Sequence, residues 1–343
     1  MKNLKLLIRF VLTYPVFFTY LILGYLNDWL RFFKYSSVKA SIFFGRSNKM
    51  LRNKEQLRSL IVADYHKIEK GLALKNRRPG FGIVVVQRLL DNIEEYCQSF
   101  AYDQPVEIAF SCLVEYQTFN NINHSSNESI NKRIDHLKNK LSTNEDKGNG
   151  GTVILTKANI LENGKKDLEH FFNSRYSIRD FSNEKIDQKD FKQAISMAQK
   201  TPSVCNRQSI RAYLYKEKRE VLKVLSCQNG SASFADKVTS VFIITSNLET
   251  FFTPDERNQC WIDGGLFSMS LVYSLHSLGI GSCCLNWCSS KKDDQKLYAI
   301  TGIPKSEVEI MLIACGKYPE ELRVAKSTRR SIDEVLVEQP LNE

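Results

Sequence analysis

Cysteine pairs and metal-binding motifs are missing from this sequence. Its nine cysteines are scattered, their number is odd, and none forms a Cys-x-x-Cys pair. A disulfide framework is therefore not expected, and the pattern favours reduced thiols in a cytoplasm. The closest group, Cys283, Cys284 and Cys288, has no second ligand pair at the spacing of a zinc or iron–sulfur site. The sequence predicts no metal site.

Motifs of several common enzyme classes are also absent. The 343 residues contain no His-Glu-x-x-His, no Gly-x-x-x-x-Gly-Lys phosphate loop and no Gly-x-Ser-x-Gly nucleophile elbow. The five histidines do not cluster, and His276 on an apolar helix is interpreted as a core residue. The corresponding hydrolase and nucleotide-binding classes are excluded, and no catalytic side chain is predicted.

Acidic residues are scarce in the first quarter of the chain. Residues 1–90 hold 17 Lys and Arg against four acidic residues, an excess of +13, whereas the whole chain carries +10. The rest of the chain is thus slightly acidic, which excludes a protein that coats nucleic acid over its whole length. The basic excess indicates a local anionic surface near the N-terminus, such as a membrane.

Charge is missing altogether from the 17 residues Phe10–Leu26, which basic residues flank on both sides. As a helix this run would be roughly 25 Å long, short of the roughly 30 Å hydrocarbon core of a membrane. Pro15 weakens the helix, and no cleavage site of a signal peptide follows. Three interpretations stay open: an interfacial helix, a single membrane span, and a helix packed on the protein's own core. We expect residues 1–35 to lie on the anionic inner face of a membrane.

Composition divides the chain into four regions. They are the hydrophobic and basic segment 1–35, a helical region over 36–141, a polar linker over 142–151 and a domain of alternating helices and strands over 152–343. In the helical region, His66–Leu72 and Arg77–Gly82 form either a helix end followed by a turn or an anion-binding loop.

The last region has the pattern of a layered fold of helices and strands. The apolar positions of Gln188–Lys200 share one helix face, with Asp187 as its cap. Gln259–Leu278 is predicted to be a long helix that is buried on most sides. Apolar runs predict three strands, Arg211–Tyr215, Val241–Ser246 and Glu309–Cys315, the last of which Gly316 ends.

Two segments between these elements carry side chains suited to a ligand. Ser174–Phe181 places Arg175 and Arg179 on either side of a hydroxyl, which suits a phosphate, although Arg179 and Asp180 are equally an ordinary surface pair. Thr201–Gln208 presents amides that suit the donors and acceptors of a heterocycle, with a simple Asx turn as the alternative for its asparagine.

Two further segments follow later in the chain. Gly279–Trp287 offers backbone N–H groups to a ligand's carbonyl or ring nitrogen, unless its glycines only end the helix and turn the chain. Lys326–Arg330 is a basic cluster in a half of the chain that is otherwise acidic.

Taken in this order and spacing, the motifs resemble the nitroreductase family of FMN-dependent oxidoreductases over roughly residues 167–338. The resemblance is carried by R-Y-S-I-R-D-F at 175–181, P-S-x-x-N-x-Q at 202–208, G-I-G-S and L-N-W within 279–287, and K-S-T-R-R at 326–330. The motifs H-K-I-E-K-G-L, R-P-G-F-G and N-Q-C-W-I-D-G-G-L-F-S-M resemble a longer branch of the family, whose members are associated with bacterial surface-polysaccharide loci.

The resemblance implies an α+β fold with a central, mostly antiparallel sheet packed by helices and an N-terminal helical extension. It also implies a homodimer that holds FMN in clefts between its subunits, with one motif contributed by the partner. The residues implied to bind FMN are Arg175, Tyr176, Ser177, Arg179, Ser203, Asn206, Gln208, Asn229, Leu285, Asn286, Trp287, Lys326 and Arg329. The motif can also be aligned so that Arg330, instead of Arg329, contacts the phosphate.

The implied function is that of an FMN-dependent oxidoreductase that uses NADH or NADPH to reduce a small-molecule acceptor, such as a nitro compound or a quinone. Flavin chemistry needs no nucleophile or general base from the protein, which agrees with the missing motifs. Two alternatives stay open: a flavin oxidase or fragmentation enzyme of the same fold, and a membrane-peripheral accessory protein of envelope polysaccharide biosynthesis with little turnover. The substrate is not predicted, and the expected location is the cytoplasm, peripheral on the inner face of the membrane.

Overall fold

The structure is a computed structural model of the chain. It describes residues 26, 28–36, 52–74, 77–100, 102–141, 150–152, 154, 167–287, 289–322, 324, 331–339 and 341. Apart from Leu26, the uncharged run near the N-terminus lies outside the described residues, as does the cluster Lys326–Arg330. No helix within the described ranges combines the length and the apolar character that a membrane crossing requires.

Four helices lie within the described residues of the range 52–141. They are α1 (Lys54–Leu72), α2 (Ile83–Ser99), α3 (Gln104–Ile122) and α4 (Glu128–Lys140). α1 begins at a capping box, in which the side chains of Asn53 and Gln56 each accept a backbone N–H from the other residue. Its last helical residue is Leu72, so His66–Leu72 is the end of a helix, as the first of the two interpretations predicts.

The four helices share one apolar core. Ile61, Leu89 and Leu113, from α1, α2 and α3, are completely or almost completely buried in it. At one edge of the core, the buried carboxylate of Asp64 accepts two hydrogen bonds from Arg88, at 2.7 and 2.6 Å, and this pair ties α1 to α2.

The two motifs of the helical region, His66–Leu72 and Arg77–Gly82, pack directly against each other. A Cβ atom on Gly71 would lie 2.1 Å from the ring of Phe81, so this close approach requires glycine. The carbonyl of Phe81 accepts a hydrogen bond from Tyr116, and the N–H of Gly80 donates to Asn120. The glycines and the aromatic ring of these motifs therefore hold the helical region together.

The second domain is built on a four-stranded sheet with the order β1-β2-β4-β3 and antiparallel pairing throughout. The strands are β1 (Ile210–Tyr215), β2 (Ser240–Asn247), β3 (Ile280–Asn286) and β4 (Glu307–Lys317). β2 is buried at every position, which explains its nearly continuous apolar sequence. The predicted α+β fold with a central antiparallel sheet is confirmed.

Helices cover both faces of this sheet. They are α5 (Leu168–Asn173), α6 (Gln188–Ala198), α7 (Lys218–Leu225), α8 (Gln259–Ser277) and α9 (Lys291–Thr301). α6 and α8 pack on the face that contains Phe242 and Ile244, while α7 and α9 pack on the face with Val241 and Ile243. A Cβ on Gly264 would lie 2.6 Å from Ile310, so only glycine lets α8 approach β4 this closely.

Three local predictions differ from the structure. β4 does not end at Gly316 but continues to Lys317, because that glycine pairs with β3. Asp187 occupies the N-cap position of α6, yet its side chain makes no capping hydrogen bond. α8 is not buried on most sides, since apolar side chains such as Trp261 and Leu266 are 43% and 46% exposed.

Residues 28–35 form a helix, here called the N-terminal helix, that is docked on the second domain. Phe32 is 5% exposed and lies with its ring centroid 6.0 Å from that of Phe251 in the domain core. The Arg31 guanidinium donates to the carbonyl of Lys305 at 3.1 Å and pairs with the buried carboxylate of Glu309 at 3.5 Å. It also donates to the hydroxyl of Tyr298. The end of the predicted segment 1–35 is thus anchored in the core of the domain.

We predict that Arg31→Ala lowers the free energy of unfolding by about 3 kcal/mol, because it leaves the Glu309 carboxylate buried without its cation. Burial already raises the pKa of Glu309, and the Arg31 charge acts against that rise. Urea unfolding followed by circular dichroism measures the change. Lys34→Ala, on the exposed side of the same helix, is the control and should lower stability by well under 1 kcal/mol. Equal losses in the two variants would show that the ion pair does not anchor the helix.

Candidate functional site

The segment with the two arginines lies along the free edge of β3. Ser177 pairs with Ser282 in a parallel bridge, and the N–H of Ile178 donates to the carbonyl of Ser282 at 2.9 Å. The side chain of Ile178 is buried in the core, at 3% exposure. Since successive side chains of an extended chain alternate in direction, Ser177 and Arg179 point away from that core.

Arg175 stands at the start of this short strand and is half-buried. Among the residues that the structure describes, its guanidinium has no hydrogen bond or ion pair. Its charge nevertheless reaches neighbouring groups: burial lowers the pKa of His276, and Arg175 lowers it further. Burial raises the pKa of Cys283, whereas Arg179 and Arg175 act in the opposite direction. A half-buried guanidinium without a carboxylate partner is well suited to bind an anion.

The C-terminal end of β3 forms the next part of the candidate site. Asn286 is exposed there, next to the buried Leu285. The side chain of Gln228 donates to the carbonyl of Asn286 at 3.2 Å, which brings the exposed Asn229 to the same end of the strand. The indole N–H of Trp287 donates to Asp294 at the start of α9, at 2.8 Å.

The sequence-based description of this segment as a loop needs correction. Residues 280–286 form an edge strand, and only Gly279, with φ +67°, acts as the turn that follows α8. Gly281 lies beneath the side chain of Ile178, since a Cβ there would approach it to 3.1 Å. The glycines therefore allow close packing and chain reversal, and backbone groups remain available only at the strand's end.

The third part of the site is the turn between α6 and β1, residues 203–208. Three of its non-glycine residues have a positive φ: Cys205 at 48°, Asn206 at 53° and Gln208 at 53°. The Oγ atom of Ser203 accepts the backbone N–H of Gln208 at 3.0 Å. Left-handed backbone at such residues costs about 1–3 kcal/mol each. Concentrated strain of this kind persists only where the surroundings impose it.

Arg207 supplies much of that constraint. Its side chain is 1% exposed and pairs with Glu256 at 2.5 Å. It also donates to the carbonyl of Thr250 at 2.9 Å and lies over the ring of Phe252, 4.4 Å from the centroid. On the other side, the buried carboxylate of Asp263 accepts the N–H of Val204 at 3.2 Å. Asn206 and Gln208 are thus held on a rigid turn, as predicted, with Gln208 exposed.

The structure does not bring all the predicted residues together within one chain. The turn 203–208 precedes β1 at one edge of the sheet, whereas Arg175, Ser177 and Asn286 lie along β3 at the other edge. With β2 and β4 between them, the two edge strands are about 14 Å apart. Tyr176 belongs to the β3 group and is 39% exposed, and Lys326 and Arg329 lie outside the described residues.

Sequence reasoning treated His276 as a core residue and did not connect it with Arg175. The structure places its ring at 2.9 Å from the Oγ of Ser174 and 3.2 Å from the hydroxyl of Tyr318. The ring is thus hydrogen-bonded but only partly buried, so the interpretation of His276 as a core residue is wrong for its burial. Its position beside the candidate anion site depends on the pairing of distant segments, for which the local sequence holds no signal.

The nitroreductase family model matches residues 173–243 of the chain. This range contains the Arg175–Arg179 segment and the turn 203–208, so the resemblance predicted from the sequence is confirmed over this part of the domain. The narrower resemblance to members from surface-polysaccharide loci stays a prediction. No curated protein matches the chain at a significant level.

Several solved structures are similar to about half of the chain. An FMN-dependent nitroreductase from Clostridium difficile R20291 has 18% identity and a TM-score of 0.40, covering 48% of this chain and 92% of that chain. A nitroreductase family protein from Streptococcus pneumoniae TIGR4 has 20% identity and a TM-score of 0.43, with 50% and 100% covered. A protein described as a nitroreductase, in complex with FMN, from Desulfovibrio desulfuricans has 16% identity and a TM-score of 0.43, with 52% and 99% covered. None of them assigns a role to a residue of this chain.

Proposed function

We propose that the chain is an FMN-dependent oxidoreductase that takes electrons from NADH or NADPH and reduces a small-molecule acceptor, such as a nitro compound or a quinone. The observation that carries this proposal is the half-buried guanidinium of Arg175 on the edge of β3, which has no partner among the described residues. It lies in the part of the chain that matches the nitroreductase family model. FMN combines a dianionic phosphate with a heterocycle, and the β3 edge offers groups for both.

The residues present fit the phosphate end of FMN. Arg175 and Arg179 provide two cations, and Ser177 lies between them with a hydroxyl that donates or accepts hydrogen bonds. Burial keeps the nearby thiol of Cys283 neutral by raising its pKa, so this thiol does not cancel the positive charge. Lys326 and Arg329 are proposed to add to the same charge.

The heterocycle end is proposed to lie near the C-terminal end of β3. The exposed amides of Asn286 and Asn229 suit the polar rim of an isoalloxazine ring, and the backbone from Leu285 to Trp287 is proposed to lie near its redox-active nitrogen. When bound, the flavin supplies the hydride and electron transfer chemistry. The protein's own residues bind and orient it. The hydrogen bond from Trp287 to Asp294 fixes the end of β3, where Asn286 and Asn229 lie.

We further propose that the functional unit is a homodimer. The β1 edge of the sheet is too far from Arg175 of the same chain for one ligand to contact both. A second copy would therefore supply the residues at that edge, Ser203, Asn206 and Gln208. An exposed apolar stripe runs along α8 and provides a surface for that copy. Its members are Trp261, Ile262, Leu266 and Met269, which are 43%, 53%, 46% and 36% exposed. Apolar area of this extent on one helix face is typical of an interface.

The attachment of residues 1–35 to the inner face of a membrane is also a proposal. The N-terminal helix buries Phe32 and Arg31 on the domain, while Trp29 and Leu30 remain 41% and 51% exposed. These exposed side chains follow directly on the uncharged, aromatic run and its basic flanks. An apolar face with nearby Lys and Arg suits an anionic interface.

Arg175→Ala is expected to raise the dissociation constant for FMN about ten- to a hundredfold, since it removes a charge-assisted contact with the phosphate. Titration of the apoprotein with FMN, followed by flavin fluorescence, measures this. The Arg175→Ala, Arg329→Ala double variant should bind still more weakly. Arg219→Ala, on the exposed face of α7, is the control. FMN affinity that is unchanged in the double variant would remove Arg175 from the phosphate site.

Leu266→Arg is expected to convert the dimer into a monomer and to reduce FMN affinity, because it places a charge in the middle of the α8 stripe. Light scattering gives the mass, and flavin absorbance gives the occupancy. Leu222→Arg makes the same change at a leucine of α7 that is 39% exposed, and it should leave both properties unchanged. A wild-type monomer with tightly bound FMN would contradict the dimeric site.

The full-length chain is expected to float with anionic lipid vesicles at low salt, and less so at high salt, because charge and apolar burial both contribute. A variant that begins at Leu26 keeps the anchoring residues Arg31 and Phe32. It should stay folded, bind FMN and no longer float. Neutral vesicles are the control for the electrostatic part. Failure of the full-length chain to float at low salt would rule out membrane attachment.

A further inference from the structure

A chain of three hydrogen-bonded side chains runs beside Arg175. His276, at the end of α8, has its Nε2 atom 2.9 Å from the Oγ of Ser174 and its Nδ1 atom 3.2 Å from the hydroxyl of Tyr318. Ser174 is the residue that ends α5 and immediately precedes Arg175. The imidazole therefore links the ends of α5, α8 and β4 at the place where the arginine strand begins.

The neighbouring hydrogen bonds determine which ring nitrogen carries the proton. Ser174 donates its hydroxyl proton to the carbonyl of Phe171 at 3.0 Å, so it accepts the contact from His276. Nε2 is then the protonated nitrogen, and Nδ1 accepts the hydroxyl proton of Tyr318. Burial raises the pKa of Tyr318, which keeps that hydroxyl able to donate. Both contacts are satisfied by the neutral imidazole.

The charges around the ring agree with this assignment. Burial lowers the pKa of the His276 imidazole and the charge of Arg175 lowers it further, while a hydrogen bond with the Phe171 backbone acts in the opposite direction without reversing the shift. The other close neighbours are aromatic: the ring of Phe171 lies 5.0 Å from that of His276, centroid to centroid, and its ring also packs on Tyr273. No carboxylate contacts the imidazole within the described part of the chain.

The position of α5 depends on this link. The helix has six residues and none of them is buried, so little apolar packing holds it on the domain. Its contacts with α8 include the tilted rings of Phe171 and Phe172, which pack on Tyr273 and His276, and the polar contact between Ser174 and His276. Ring contacts of this kind are not directional, whereas a hydrogen bond from a ring nitrogen fixes one atom of Ser174 in place.

We propose that His276, as a neutral imidazole protonated at Nε2, is a positioning residue that holds Ser174 and thereby sets the place of Arg175 and Ser177 on the edge of β3. The inference rests on the proposed function, because it takes the anion that Arg175 binds to be the phosphate of FMN. His276 itself contacts neither the phosphate nor the flavin in this scheme. Its loss displaces the residues that do.

Two substitutions of His276 separate its two hydrogen bonds. The amide nitrogen of His276→Gln reaches the position of Nε2 and still donates to Ser174. The shorter amide of His276→Asn reaches only the position of Nδ1, so it keeps the contact with Tyr318 and loses Ser174. We expect the dissociation constant for FMN to rise about three- to tenfold in His276→Asn and to stay within about twofold of the wild type in His276→Gln.

Further variants test the same link from its other ends. Ser174→Ala removes the acceptor and should match His276→Asn, and the double variant should be no worse than either single change, because one contact is lost in all three. Tyr318→Phe keeps the donation to Ser174 and should bind FMN like the wild type. Additive losses in the double variant would show that Ser174 and His276 act separately and would overturn the proposal.

A measurement without flavin tests the protonation state. A histidine whose folded pKa is lowered takes up its proton on unfolding, so the free energy of unfolding should rise with pH up to the unfolded pKa of about 6.5. Part of this rise should be missing in His276→Gln, which has no titrating ring. An identical pH dependence in both proteins would overturn the neutral assignment.

The outcomes also separate this inference from the proposed function. If the wild type binds no FMN, the proposed function is wrong and the positioning role falls with it. If the wild type binds FMN and His276→Asn binds it equally well, the positioning role alone is wrong. Binding that is weakened in His276→Asn and restored in His276→Gln supports both.

Discussion

The pairing of β2 with β4 in the middle of the sheet determines where this protein can bind a ligand. Both strands are buried, β2 at every position, and they form the core between two layers of helices. Among the described strands, β1 and β3 form the two edges of the sheet, and each edge carries one of the polar motifs. Because the central strands hold these edges apart, a site that needs both motifs requires a second copy of the chain. The proposed homodimer and the proposed cofactor site thus both follow from one strand order.

The same architecture explains why charged groups are buried at the sheet's periphery. Arg31 forms an ion pair with Glu309, and Arg207 forms one with Glu256. Each pair lies at the end of a strand or turn. Removing Arg31 would leave the buried Glu309 without its cation, and removing Glu256 would leave the buried Arg207 without its anion. Either change costs about 3–5 kcal/mol. Arg31 anchors the segment that leads to the N-terminus, whereas Arg207 holds the strained turn. Within the described residues no carboxylate accompanies Arg175, and its proposed role as a ligand group rests on this difference.

Local patterns in the sequence predicted those elements whose burial is uniform. β2 is buried on both faces, so its apolar run alone identified it, and the helical period identified α6 and α8. The exposed stripe of α8 was missed because the small residues around Gly264 were taken as burial on all sides, although only one side approaches β4. β3 was missed because glycines at its start resemble a turn and its partner strand lies about thirty residues further on. The docking of Arg31 joins residues 278 positions apart, which no local pattern encodes.

The two edges of the sheet hold their polar groups in different ways. The turn 203–208 is rigid, because left-handed residues are fixed there by the buried Arg207 and by Asp263. The β3 edge has no such strain, and its added strand begins at α5, a short helix without buried residues. Orientation at this edge therefore depends on individual hydrogen bonds, above all those of His276 and Ile178. A ligand held between two such edges would meet one preformed surface and one that a single imidazole keeps in place, which makes the second edge the more sensitive to substitution.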